Sequence, residues 1–153
     1  MLRRRRSLTR MAKCLTVNLP EGWEDATHLH ENATFSFRRA LPSSTGLLQV
    51  MIAEYQGGEP PNPTEADLID FAVGAGNENH GGEMVSTFSG SHKLGVFGSA
   101  VFIGRNEQQS NYFQVWFLSN SYDLVYVIFE SPQAPADEEL TEAQAIVGQL
   151  GFQ

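Results

Sequence analysis

The stretch NYFQVWFLSNSYDLVYVIFE, residues 111–130, holds three tyrosines, three phenylalanines and a tryptophan. It reads as a hairpin, with strands over 112–118 and 122–130 joined near Ser119-Asn120-Ser121. Alternate residues of a strand face opposite sides. In the first strand Tyr112, Trp116 and Leu118 therefore share one face and Phe113, Val115 and Phe117 the other. In the second, Tyr122, Leu124, Tyr126 and Ile128 oppose Val125, Val127 and Phe129. A sheet with one wet face would alternate apolar and polar. Here both faces are apolar, so the hairpin is predicted to lie mid-sheet with cover on each side.

Working outward, LTVNLPEGW (15–23) reads as a short strand ended by Pro20 and Gly22. ATFSFRR (33–39) and GLLQVMIAEY (46–55) are further strands, with Phe35 and Phe37 pairing near the second. GGEPPNP breaks the pattern, because proline cannot continue a ladder. Thr64 caps a helix, TEADLIDFAVGAG, with Leu68, Phe71, Ala72 and Ala75 as its apolar stripe and Gly74 and Gly76 as its end. EMVSTFSG (83–90) and GVFGSAVFIG (95–104) are strands, and the small residues at 98–100 would let a helix sit close. The tail carries an acidic first turn at Asp137, Glu138 and Glu139. Leu140, Ala143, Ile146, Val147 and Leu150 line one face of a second helix. The predicted order is β-β-β-α-β-β-β-β-α with hairpin-length turns, hence antiparallel pairing. The fold class is α+β, a single antiparallel sheet of about six or seven strands with two helices packed on it.

At 153 residues and 41% hydrophobic content, the chain is sized for one domain with a real core. No apolar segment approaches a membrane span, and the single Cys14 excludes an internal disulfide framework. Net charge is −8. Five of the ten basic residues are Arg3, Arg4, Arg5, Arg6 and Arg10, whereas all eighteen acids lie from Glu21 onward. The body beyond residue 10 is therefore −13. Such a surface repels nucleic acid and anionic lipid and attracts basic partners. No apolar run follows the arginines, so an export signal is not indicated. Residues 1–13 are read as a disordered basic tail, with Met11 as an alternative start, ahead of one domain over 14–153 in the cytoplasm.

Catalytic signatures are missing: no GxSxG, HExxH, CxxC, GxGxxG or phosphate-cradling loop occurs. His28 and His30 would share a face of a strand beside Glu31, but no third ligand follows at a telling spacing, so no metal and no cofactor is assigned. His80 falls in a glycine-rich loop and His92 in a turn, neither with a triad neighbour. The aromatics that reach the edge of helix cover are the expected binding groove: Tyr112, Trp116, Tyr122 and Tyr126, whose polar atoms want water or a partner. Glu65, Asp67, Asp70, Glu138 and Glu139 form the expected acidic surface at two helix starts.

The run LTVNLPEGW, FSFRR, GLLQVMIAEY, a T-x-x-D-L helix, G-x-F-G, an aromatic hairpin and a final amphipathic helix resembles the PsbP-like superfamily. That group includes Ran-binding Mog-type proteins, DcrB-like lipoproteins and Eag-type chaperones of type VI secretion. The resemblance implies a binding or assembly protein without catalysis. The lipoprotein branch's lipobox is not matched by MAK before Cys14. The expectation is a non-enzymatic protein-binding module, monomer or weak homodimer, with a basic or partly apolar protein partner. An immunity protein neutralising a basic toxin is its concrete form. The alternatives are a chaperone for a secreted effector and a metal-dependent enzyme using His28, His30 and Glu31.

Overall fold

The computed structural model describes residues 2–7, 14–29, 35–79, 82–105 and 110–152. Ten strands and two helices follow in chain order. They are β1 (Leu2–Ser7), β2 (Cys14–Leu19), β3 (Trp23–Asp25), β4 (Phe35–Arg39), β5 (Leu47–Ala53), α1 (Glu65–Asn79), β6 (Glu83–His92), β7 (Gly95–Arg105), β8 (Ser110–Ser119), β9 (Leu124–Ser131), α2 (Asp137–Gly148) and β10 (Gly151–Phe152). The main sheet has seven antiparallel strands in the order β3-β4-β5-β9-β8-β7-β6. The fold is the expected α+β class, and the β8–β9 hairpin is central.

Two departures concern the chain ends. The strand at 14–19 does not join the main sheet; it is the middle of a small sheet, β1-β2-β10. Leu15, Val17 and Leu19 are fully buried, so β2 is anchored on one face while its two edges need partners. Residues 2–7, assigned above to a disordered tail, run antiparallel along one edge, and Gly151–Phe152 pair with the other. Met1 and residues 8–13 lie outside the described residues.

Side-chain parity divides the core in two. Tyr112, Trp116, Leu118, Val125, Val127 and Phe129 point toward α2 and β2, where they pack with Phe37, Leu48, Val50, Ala143 and Ile146. Phe113 and Val115 point the other way, with Ala72, Ala100 and Phe102 beneath α1. The helix α1 begins as read. The Thr64 hydroxyl accepts from the Asp67 amide at 3.1 Å, and the Asp67 carboxylate accepts from the Thr64 amide at 2.9 Å. It does not end at Gly74 and Gly76 but continues to Asn79. Gly76 is buried because the Phe102 ring occupies the space where a Cβ would stand. The absence of a side chain there serves packing and not termination. Similarly, a Cβ on Gly98 would collide with the α1 backbone at Leu68 and Ile69. The close approach expected at 98–100 is therefore real, and β7 runs through it without interruption.

Candidate functional site

On the α2 face, β8 carries one polar residue amid apolar ones. Gln114 lies between Tyr112 and Trp116 on the same side and is only 2% exposed. An unbonded amide there would cost several kcal/mol, about 2–7 depending on the reference state. It is bonded instead. Its Nε2 donates to the Ser99 hydroxyl at 3.0 Å. Its Oε1 accepts from the Tyr112 hydroxyl at 2.9 Å and from Gln144 Nε2 on α2 at 3.1 Å. Ser99 in turn donates to the Val115 carbonyl at 2.8 Å. Burial pushes the Tyr112 phenol up to about 12, so it stays a neutral donor.

Beside this network the β6–β7 hairpin and α2 part to leave an open groove of about 360 Å³. It is lined by Phe88, His92, Phe97, Gln114, Trp116, Gln144, Val147 and Gly148. His92 fixes the hairpin to the helix. Its Nδ1 accepts from the Leu94 amide at 2.9 Å, which leaves the proton on Nε2 to donate to the Val147 carbonyl at 2.8 Å. The bond from Leu94 requires the neutral ring, since a protonated Nδ1 cannot accept. Burial lowers its pKa most; the Val147 carbonyl opposes this and the nearby Lys93 charge adds to it. The groove therefore presents apolar walls and polar groups already engaged with one another.

The sequence-predicted site residues disperse. Trp116 lines the groove, while Tyr112 is core and borders a separate hollow of about 320 Å³ beside Thr45, Glu130 and Ser131. Tyr126 lies on the opposite face, stacked on Phe117 with centroids 4.6 Å apart, because the hairpin register sets Phe117 against Tyr126. Tyr122 is exposed at the β8–β9 turn, edge-on to Tyr55 at 5.4 Å. The four do not share one groove. Among the acids, Glu65, Asp67 and Asp70 are exposed on α1. Glu138 is exposed and lies 3.1 Å from the buried Arg39, whose Nε faces Glu142 at 2.9 Å. Glu139 is not on the surface. It is fully buried and accepts from the Gly46 amide at 2.9 Å and the Thr45 amide at 3.4 Å. No three His, Cys, Asp or Glu side chains converge as a metal site among the described residues. His28 is exposed after β3, whereas His30, Glu31 and His80 lie outside the described residues. Sequence reasoning missed Gln114, His92, Phe88, Phe97 and Gln144 as a set. The one available signal was a lone amide at an inward position of a core strand.

No protein-family model matches the chain, and no curated protein matches it. Solved structures do. LpqN of Mycobacterium tuberculosis, involved in cell envelope biogenesis, superposes with a TM-score of 0.69 at 10% identity, covering 99% of this chain and 91% of that one. The cyanobacterial PsbP, CyanoP, of Synechocystis sp. PCC 6803 gives 0.57 at 17% identity, covering 99% and 92%. A protein of Bacteroides thetaiotaomicron VPI-5482 gives 0.52 at 17% identity over 91% of this chain, which spans 45% of that longer one. At these identities the likeness concerns architecture, and that architecture is PsbP-like.

Proposed function

We propose that the chain is a non-enzymatic binding module whose groove between the β6–β7 hairpin and α2 receives an apolar part of a protein partner. The groove lining carries this reading. Gln114, Gln144 and His92 already spend hydrogen-bonding capacity on each other or on backbone, and Phe88, Phe97, Trp116 and Val147 supply the rest. Such a lining can hold a ligand, and its one titratable ring has both nitrogens committed. The net charge of −8 favours a basic partner. In its concrete form the chain is a bacterial cytoplasmic immunity protein that neutralises a basic toxin.

The test uses Gly148, where an added Cβ meets nothing within 4 Å. Gly148→Leu fills the groove without disturbing the fold. Calorimetric titration with lysine-containing amphipathic peptides should show binding that weakens about tenfold or more in the variant, with an on-rate that falls as salt rises. Equal affinity in both proteins, or a salt-independent on-rate, would remove the groove or the electrostatic part respectively.

A second reading, a chaperone for a type VI secretion effector, is favoured by the exposed Phe71, Met84, Val85 and Phe88. It predicts that long apolar segments bind in preference to short basic ones.

A further inference from the structure

The main sheet ends in two unlike edges. At one, β3 is three residues long and its Glu24 is paired with Arg38. At the other, β6 extends over ten residues. Between Met84 and Ser91 it carries no charge and no proline, the usual guards of a free edge. Its single blunting feature is a bulge at Val85, near one end. Met84, Val85 and Phe88 are among the most exposed large apolar side chains described.

We propose that β6 pairs antiparallel with β6 of a second copy of this chain about a two-fold axis at Phe88, making one continuous sheet. The strand is charge-antisymmetric, with Glu83 at its start and Lys93 just past its end. An antiparallel self-pair centred on Phe88 sets the two Phe88 rings side by side and, with the bulge at Val85 skipped, carries each Glu83 opposite the other copy's His92, one residue from its Lys93. The faces agree. Glu83 and Phe88 stand opposite Ile103 and Ser99 of β7, both on the α2 side of the sheet. The Lys93 stem lies toward the same side, since its Cε would be 3.2 Å from a Cβ on Gly151. Phe88 lines the groove, so each copy would close the open flank of the other's groove. A two-fold closes on itself, which limits the assembly to a dimer instead of a fibre. This pairing is independent of what the groove binds.

Sedimentation of the full chain across its accessible concentration range tests it. A monomer–dimer equilibrium is expected. Phe88→Lys should weaken it at least tenfold with the fold intact, because that side chain is half exposed and on an edge. Glu83→Lys should weaken it about tenfold, from two lost attractions and two new repulsions. Glu83→Lys combined with Lys93→Glu should restore it. Circular dichroism checks that each variant is folded. A chain that stays monomeric throughout overturns the proposal, as does a dimer indifferent to all three variants. Protection of β6 amides only when a foreign protein is added would assign the edge to another chain's strand, and overturns it equally.

Discussion

The two faces of the main sheet are covered by opposite means. Under α1 the cover touches backbone: Gly98 admits the helix at Leu68 and Ile69, Gly76 admits the Phe102 ring, and Ala72 and Ala100 are fully buried. Under α2 the cover stands off on large side chains, Phe37, Leu48, Trp116 and Phe129, with Gln114 and Glu139 bonded among them. The small residues make a dry seam with no room to spare. The large ones prop the helix away, and where they run out beside β6 a groove remains. The candidate binding site thus lies on the face where packing is least economical in space.

Substitutions at glycine should expose this contrast most. Gly98→Val forces the α1 backbone off β7 and is expected to destabilise by about 3 kcal/mol or more in urea unfolding. The groove-side Gly148→Leu should leave stability nearly unchanged. If the two behaved alike, the faces would not differ as described. Next in size is Glu139→Ala. It leaves the buried Gly46 amide without its acceptor and should cost about 2 kcal/mol by the same measurement, with Glu139→Gln intermediate. Within α1 itself, Gly74 and Gly76 should diverge. A Cβ on Gly74 meets nothing within 4 Å, so Gly74→Ala should stabilise by about 1 kcal/mol. Gly76→Ala should destabilise through the Phe102 ring.

The smallest effect is the titration of His92. Its folded pKa lies below 6.5, so between that lower value and the unfolded value near 6.5 the unfolded chain binds more protons. The stability tied to the neutral ring is fully present above pH 6.5 and declines as pH falls through that window. Lys93 is the charged neighbour that contributes to the shift. The difference in Tm between wild type and His92→Gln should shrink on acidification from neutral pH; a constant difference would show that the ring is not held neutral.

Much of the fold was legible because strand parity and helix period are local. Within each strand of 111–130 the two faces are as read, and Thr64 and the small residues at 98–100 do what their chemistry suggests. What parity cannot supply is the match between strands. Placing Tyr126 with Trp116 required the β8–β9 register, which a four-residue turn tied by Asn120 and Asp123 decides. Glu139 misled for a different reason: an acid in a first turn normally complements the helix dipole. Yet it stands four residues before Ala143 and seven before Ile146, on the inward stripe. The small sheet could not be read from β2 alone, because one partner, β10, joins it over more than a hundred residues and the other, β1, lies in an arginine run without strand alternation.

The pairing of Gly151–Phe152 with Leu15 and Thr16 bears on synthesis. Leu15, Val17 and Leu19 are made well over a hundred residues before their cover of α2 and β10. On the ribosome they must wait, apolar and unshielded, while well over a hundred residues are added, so this half of the core closes late. The seam beneath α1, drawn from 65–128, is complete sooner, and it is the natural platform on which the remainder assembles.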